Sequence, residues 1–185
     1  MAVRRADVVA AALGILDQFG LADLTMRRVG SALEVKAGAL YWHFPNKQSL
    51  LAAVADAILA EVVAPEPGPW RPWLAAWTDR LRTTLLRHRD AAELVSATLA
   101  TGLGAVDLGT PPARVLHGAG LGEADARAAA RALVHLTLGQ VSEEQTRATL
   151  SEVGVVSGHD PEAAARDHAA GVALLLDGLA FRLRD

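Results

Sequence analysis

The sequence of 185 residues contains no cysteine, and aromatic residues make up only 4% of it. Without cysteine, the chain has neither disulfides nor zinc–thiolate sites, which suits a reducing compartment. No stretch approaches 18 uninterrupted apolar residues, so we expect no transmembrane helix. The N-terminal apolar run is broken by Asp17 and Gln18 and lacks a cleavage pattern, so we expect no signal peptide. These absences predict a soluble cytoplasmic protein.

A sustained period-two alternation of apolar residues, which would indicate β-strands, is also missing. Hydrophobic residues make up 51% of the chain, and they recur at helical rather than strand spacing. The chain is long enough for one large helical domain, or for a small domain joined to a helical bundle. The sequence therefore predicts an all-α protein.

The net charge of −3 is spread unevenly. Residues 1–50 hold six basic and four acidic side chains, whereas the remainder holds 12 basic and 17 acidic ones. A mildly basic head on an acidic body is the arrangement expected when only the head contacts nucleic-acid phosphates.

Residues 24–47 predict two short helices joined by a tight turn. Thr25 suits an N-cap, and Met26, Val29 and Leu33 then recur on one helical face. The apolar pattern resumes at Leu40 in a second helix over residues 37–43, which Pro45 ends. This arrangement is typical of a helix-turn-helix, in which the second helix enters the DNA major groove.

The run LYWHFPNK after this turn, with Thr25 and Arg27 before it, closely resembles the DNA-binding domain of the TetR family of bacterial repressors. The resemblance implies that Arg27 reads a guanine, that Tyr41, His43 and Lys47 touch phosphate and groove wall, and that Trp42 serves partly in packing. A solvated surface charge is the alternative role for Arg27. The full implied set of DNA contacts is Thr25, Arg27, Lys36, Ala37, Gly38, Ala39, Tyr41, Trp42, His43 and Lys47.

The start of the recognition helix departs from the tetracycline repressors, which have Gln-Pro-Thr where this chain has Ala37, Gly38 and Ala39. These small side chains cannot make bidentate base contacts, although alanine can meet a thymine methyl. We therefore expect a different operator, read more through Arg27, Lys36 and DNA shape.

The chain is predicted to divide at a Pro-rich segment over residues 64–72. Before it lie a helix over residues 6–19 and, after the helix-turn-helix, a fourth helix from the Asn46 cap to about Val63. The predicted domains are a DNA-binding head of residues 1–48, with residues 49–63 as a linking helix, and an effector-binding and dimerisation domain of residues 64–185.

The predicted body is a helical bundle. A tryptophan and leucine stripe marks a helix from Trp70 to near His88, and Asp90 is a candidate cap for the next helix. An Ala-rich helix begins at Glu123, and a last helix follows Asp160 and Pro161. Residues 123–140 and 162–183 are the predicted homodimer interface, the alternative being that both helices are wholly internal.

The body also resembles the tetracycline-repressor class, through LLRHRD at residues 85–90, HLTLG at 135–139 and EEQ at 143–145. The resemblance implies an effector pocket at Val63, Trp77, Leu81, Val95, Thr98 and Glu143. Because the histidine that binds magnesium in that class is Val95 here, we expect no cofactor, although oxygen ligands for magnesium remain. The expected effector is small and fairly apolar. The apolar residues would also suit an ordinary core, and Glu143 an exposed surface.

The resemblance implies a homodimeric repressor that a small molecule releases from a palindromic operator. One alternative keeps the head but has the body respond to a protein partner. The other, a helical-bundle enzyme, would need paired Glu-x-x-His motifs or a nucleophile with a base, and the sequence contains no such motif. We therefore expect no enzymatic activity.

Overall fold

The computed structural model describes residues 3–183, and within this range the chain is helical with no strand, which confirms the predicted all-α class. The helices of this range are α1 (Arg5–Phe19), α2 (Met26–Ala32), α3 (Ala37–Leu40), α4 (Lys47–Leu59), α5 (Trp70–Leu86), α6 (Ala91–Thr101), α7 (Thr110–Gly118), α8 (Glu123–Glu152) and α9 (Pro161–Arg182). None of these helices is both long and apolar enough to cross a membrane.

The helices pack as two compact units. The first unit contains the residues up to Glu61 together with Thr84–Val106, and the second contains Val62–Thr83 together with the residues from Asp107 onward. Packing thus groups α6 with the N-terminal helices, because α6 lies against α4. The domain boundary that the sequence places near residue 64 remains a prediction.

The core of the first unit follows the helical periodicity of the sequence. In α1 the buried stripe is Val8, Ala12, Ile15 and Leu16, and in α4 the largest buried side chains are Leu50, Val54, Ile58 and Leu59. Phe19, at the end of α1, is 40% exposed and does not continue this stripe. The Arg28 guanidinium covers the Phe19 ring, 3.8 Å from its centroid.

Local hydrogen bonds fix where the helices of the head begin. Thr25 Oγ1 accepts from the Arg28 N–H at 3.1 Å and Asn46 Oδ1 accepts from the Ser49 N–H at 2.8 Å, so both predicted N-caps are present. The helix predicted over residues 37–43 is shorter than expected. Only Ala37–Leu40 is α-helical, and a turn follows in which the Leu40 carbonyl accepts from the His43 and Phe44 N–H groups. Pro45 disfavours a helical conformation at Phe44, which explains the early end.

The α4 helix also ends earlier than predicted, at Leu59 instead of near Val63. The following turn closes with a hydrogen bond from the Glu61 N–H to the Ile58 carbonyl. The non-helical segment after it is fastened within the second unit by α5. Arg80 donates to the carbonyls of Val63 and Ala64, and Trp73 Nε1 donates to that of Pro65.

Asp90 precedes α6 but does not cap it with its side chain. The residue has a left-handed backbone with φ 54°, and its carboxylate accepts from the Leu21 N–H at 2.8 Å. Gly20 permits this approach, because it has φ 84° and a Cβ there would lie 2.7 Å from Asp90 Oδ2. A hydrogen bond to the turn after α1 has therefore replaced the predicted cap.

The second unit is built around α8, a helix of 30 residues that packs against α7 and α9. Asp160 begins α9 as predicted, since its Oδ1 accepts from the Glu162 and Ala163 N–H groups at 3.0 Å. The hydrogen bond from Ala163 is the main cause that holds the pKa of Asp160 below its ordinary value. In α9, Val172 and Leu176 are buried, whereas Leu174 and Phe181 are exposed.

Candidate DNA-binding surface and effector-binding residues

The basic side chains of the head fall into two groups. Arg4 pairs with Asp7, and Arg28 pairs with Asp23, so their charges are largely neutralised. Among the residues that the structure describes, no carboxylate lies within ion-pair distance of Arg5, Arg27, Lys36 or Lys47. All four of these side chains are exposed. Three of them, Arg27, Lys36 and Lys47, are residues that the sequence predicted for DNA contact.

The turn after α3 exposes two aromatic side chains. Tyr41 is 52% exposed and Trp42 is 91% exposed. The expectation that Trp42 serves partly in packing is therefore wrong. Phe44, two residues later, is fully buried and fills the core position, and Leu40 anchors α3 as predicted.

His43, which the resemblance places at the DNA, is half-buried. Its Nε2 lies 2.9 Å from the Val3 carbonyl oxygen, which can only accept, so this nitrogen carries the hydrogen. The His43 side chain thus joins the turn after α3 to the residues before α1.

The remaining predicted contacts are small residues on α3. Gly38 and Ala39 are exposed and Ala37 is half-buried. A Cβ added to Gly38 would meet no atom within 4 Å, so the surface at this point is open. A smooth, open α3 lets backbone approach a groove closely but offers no bidentate donor.

Close packing positions α3 against α2. Gly30 is buried in α2, and a Cβ there would lie 2.9 Å from the Val35 carbonyl oxygen and 3.2 Å from the Ala37 nitrogen. Because both of these atoms are backbone, any larger residue at position 30 would displace the turn that sets the direction of α3.

The predicted effector residues of α5 are buried in the second unit. Trp77 and Leu81 have almost no exposed surface, and the Trp77 ring stacks on Trp73 with centroids 6.5 Å apart. Val63, in contrast, is 69% exposed and lies outside any helix.

Two further predicted effector residues, Val95 and Thr98, lie on α6 in the first unit. Val95 is fully buried, and the Thr98 hydroxyl donates to the Leu94 carbonyl at 2.9 Å. A valine supplies no metal ligand at the position where the tetracycline-repressor class has histidine. Within residues 3–183, no three histidine, aspartate or glutamate side chains converge in a way that could hold a metal ion. These residues therefore do not fit the magnesium site of that class.

Glu143 is exposed on a polar cleft of about 380 Å³ between α8 and the start of α9. Its neighbour Glu144 lines the same cleft but is buried, and its Oε2 pairs with the Arg82 guanidinium at 2.6 Å. This ion pair joins α5 to α8 inside the second unit.

A second polar contact lies between α8 and α9. His168 is 3% exposed, and its Nδ1 lies 2.8 Å from Gln140 Oε1. Its Nε2 is buried without a hydrogen-bond partner among the described residues. Burial is the main cause that lowers the pKa of His168, and the nearby Arg82 charge lowers it further.

Comparison with known proteins identifies both parts of the chain. Residues 8–54 match the family described as bacterial regulatory proteins, tetR family, and residues 64–170 match the tetracyclin repressor-like C-terminal domain. The chain belongs to the TetR family. Its helix-turn-helix head is that of a DNA-binding transcriptional regulator, which confirms the predicted class of function.

Individual relatives of this TetR-family chain are similar over most of its length. The class A tetracycline repressor of transposon 1721 from Escherichia coli is 35% identical over 95% of this chain and 89% of its own length. An HTH-type transcriptional regulator of Saccharopolyspora erythraea is 36% identical over 81% of this chain, and the chain spans 64% of that protein.

Solved structures agree with this family assignment. The chain superposes on Mycobacterium smegmatis BioQ with a TM-score of 0.89 and 44% identity, covering 96% of this chain and 98% of BioQ. A structure of BioQ with its natural double-stranded DNA operator gives a TM-score of 0.83 and 42% identity, with coverage of 96% and 98%.

The sequence did not single out Arg82, Glu144 or His168 as polar residues of the core. A signal for Glu144 was present in the helical spacing, since Thr137, Val141 and Glu144 follow one another on the buried face of α8. Local spacing also distinguishes Arg4 from Arg5, since Asp7 lies three residues after Arg4 and pairs with it.

Proposed function

We propose that this regulator is a homodimeric repressor that binds a palindromic operator through the surface around α3. The observation that carries this proposal is the group of exposed, unpaired cations, Arg27, Lys36 and Lys47, beside the exposed Tyr41 and Trp42. Phosphates attract such cations, whereas base edges need donors that reach into the groove, a role that we give to Arg27. Localisation in the cytoplasm, where its DNA target lies, is part of the proposal.

The proposed DNA contacts are the residues that the sequence predicted, with two refinements. We infer that Trp42 contacts the groove directly, because it is too exposed for a core role. We also infer that Ala37, Gly38 and Ala39 allow close approach and favour recognition by shape, with Thr25 capping α2 near a phosphate.

A dimer is proposed because one short helix covers too little of an operator. Two copies would place their recognition helices one helical turn of DNA apart, about 34–36 Å. An apolar cleft of about 380 Å³ between α8 and α9, with Leu174 and Leu175 on its rim, supports an interface there. The exposed Leu174 and Phe181 extend this apolar surface along α9. Matching surfaces on two copies would pack about a two-fold axis.

For the effector we propose a small, fairly apolar molecule that needs no magnesium, because Val95 replaces the metal-binding histidine of the tetracycline-repressor class. The proposed contacts remain Val63, Trp77, Leu81, Val95, Thr98 and Glu143. The effector would release the operator only if it binds the DNA-free form more tightly than the DNA-bound form. That difference in affinity, and not the affinity itself, sets the extent of release.

The test is binding of a labelled duplex from upstream of the protein's own reading frame, measured by fluorescence anisotropy at fixed salt. We expect Arg27→Ala and Tyr41→Ala each to weaken binding by about tenfold or more, since a good base contact contributes about 1–3 kcal/mol and a hydrogen bond to a charged phosphate contributes about 1.5–3 kcal/mol. Arg28→Ala is the matched control, because its charge is already paired with Asp23. If both Arg27→Ala and Tyr41→Ala bind like the parent, the proposed surface is wrong. A metabolite and antibiotic panel added to the parent complex then tests release.

A further inference from the structure

The residues just before and at the start of α1 lie against the turn that follows α3. His43 Nε2 donates to the Val3 carbonyl oxygen at 2.9 Å. One residue further along, the Phe44 ring lies under the Arg5 guanidinium, 4.6 Å from its centre. Two consecutive residues of the turn therefore hold two residues at the N-terminal end of the head.

Arg4 and Arg5 are adjacent, yet their charged groups contact different partners. Arg4 makes two side-chain hydrogen bonds to the Asp7 carboxylate, at 3.0 and 2.8 Å. Arg5 faces the Phe44 ring instead, and no carboxylate of the described residues pairs with it. A ring face attracts a cation through its quadrupole but carries no net charge, so the Arg5 charge remains uncancelled. An arginine also has five N–H donors, which lie along the edge of its guanidinium. Contact between the guanidinium face and a ring uses none of these donors.

We propose that Arg5 is a further DNA ligand, which binds a phosphate beside the groove that α3 enters. Phe44 fixes the plane of its guanidinium, and the hydrogen bond from His43 to Val3 fixes the chain just before it. A guanidinium held in this way is well suited to a phosphate, which it can bind through two parallel N–H groups. This inference rests on the proposed operator binding, and it adds a contact outside the helix-turn-helix itself.

The same geometry assigns His43 a positioning role. Because the Val3 carbonyl takes the Nε2 hydrogen, this nitrogen of His43 is not free to donate to a phosphate. His43 therefore also contributes to DNA binding by holding the segment that carries Arg5.

The experiment measures the salt dependence of DNA affinity for the full-length protein. Anisotropy with the operator duplex is recorded at several KCl concentrations from about 50 to 200 mM, a range over which the loss of phosphate contacts changes DNA affinity strongly. The variants are Arg5→Ala and Arg5→Gln, the second of which keeps the side-chain stem over Phe44. Arg4→Gln is the matched control, since it removes the same charge from the adjacent position. Thermal unfolding followed by circular dichroism confirms that each variant is folded.

Each phosphate contact contributes about 0.9 to the slope of log affinity against log salt concentration on B-DNA. We expect the slope of both Arg5 variants to fall by about that amount for each bound copy, and the slope of Arg4→Gln to stay at the parent value. The ratio of operator affinity to affinity for an unrelated duplex should not change in the Arg5 variants, because a phosphate carries no sequence information.

Three results would overturn the assignment of Arg5 to a phosphate. The first is a parent-like slope in Arg5→Gln. The second is an equal loss of slope in Arg4→Gln, which would indicate a general charge effect. A change in the ratio of operator to unrelated-duplex affinity would place Arg5 on a base and also reject the phosphate contact. Failure of the parent to bind DNA would instead reject the proposed operator binding. The parent can bind and Arg27→Ala can weaken binding while Arg5→Gln does not. In that case only the proposed role of Arg5 is rejected.

Discussion

At the scale of single residues, the Arg82 and Glu144 ion pair is the clearest determinant of stability in the second unit. Both residues are buried, and their contact at 2.6 Å joins α5 to α8. The desolvation of two buried charges offsets much of their attraction, so the pair adds little compared with well-packed apolar residues. Removing one partner is different, because the other charge then stays buried alone.

We expect Arg82→Met to lower the free energy of unfolding by about 3–5 kcal/mol, because Glu144 loses its partner. The double variant Arg82→Met with Glu144→Leu should recover most of that loss. Arg71→Ala, which breaks the exposed pair with Asp177, should cost at most about 1 kcal/mol. Urea unfolding of the four proteins measures these differences. A double variant as unstable as the single one would contradict the explanation.

His168 makes the stability of the same unit depend on pH. Burial, together with the Arg82 charge, lowers its pKa below the ordinary value of 6.5, and the Asp79 charge acts in the opposite direction. Below about pH 6.5 the unfolded chain therefore binds a proton that the folded chain does not bind, so stability falls as the pH falls. This penalty grows by at most about 1.4 kcal/mol per pH unit.

We expect the variant His168→Gln to lose part of this pH dependence, since glutamine can still donate to Gln140 but does not titrate. The measurement is urea unfolding of the parent and the variant at pH 7.5 and pH 5.5. The parent should lose more stability than the variant between these two values. Equal losses would show that His168 titrates alike in the folded and unfolded chains.

At the scale of the elements, the angle between α2 and α3 depends on a close backbone approach at Gly30. The Val35 N–H donates to the Gly30 carbonyl at 2.9 Å, and the Val35 carbonyl oxygen lies only 2.9 Å from the place where a Cβ at position 30 would be. The turn between the two helices therefore packs directly on the α2 backbone. Glu34 in this turn has φ 56°, a left-handed conformation that non-glycine residues rarely adopt.

We expect Gly30→Ala to weaken operator binding by about tenfold or more, because displacing a contact residue sacrifices hydrogen bonds of about 1–3 kcal/mol each. Gly14→Ala is the matched control, since a Cβ at this α1 position meets nothing within 4 Å. That control should stabilise the head by about 0.5–1 kcal/mol and leave DNA affinity unchanged. Operator anisotropy and thermal unfolding check both variants. Parent-like DNA binding by Gly30→Ala would mean that the turn can move without displacing α3.

At the scale of the whole molecule, function depends on the second copy that we propose. The exposed apolar side chains of α9 include Leu174, which is 73% exposed, and Phe181, which is 69% exposed. An apolar surface of this kind, on a chain that we propose reads two half-sites as a dimer, suits an interface that both copies share.

We expect Leu174→Asp to weaken dimerisation by about a hundredfold or more, because each copy loses about 1.5–3 kcal/mol of burial. The operator affinity of this variant should fall together with its dimerisation. Leu103→Asp is the matched control, since Leu103 is 53% exposed but belongs to the first unit and not to α8 or α9. Sedimentation velocity at micromolar concentration distinguishes monomer from dimer. A dimer that survives Leu174→Asp and loses no DNA affinity would exclude this face.

The sequence by itself determined the features that depend on near neighbours in the chain. Helix positions follow from apolar spacing, and the starts of α2, α4 and α9 follow from Thr25, Asn46 and Asp160, whose caps act within three residues. The helix-turn-helix and the family to which the chain belongs could be predicted for the same reason, because the motif LYWHFPNK is continuous. Helix ends were less predictable, as α3 and α4 show, since the last turn of a helix is stabilised weakly.

Only the tertiary structure decided which of two similar neighbouring residues is buried or paired and which is exposed. Trp42 and Phe44 are both aromatic, yet one is exposed and the other buried. Arg4 and Arg5 carry the same charge, yet Arg4 pairs with Asp7 three residues away, and only the tertiary structure places Arg5 over the Phe44 ring. Glu144 is buried while Glu143 is not, because Arg82 comes from a helix 62 residues away in the sequence. Spacing places a side chain on a face of its helix, but the partner that neutralises or covers it comes from a distant segment.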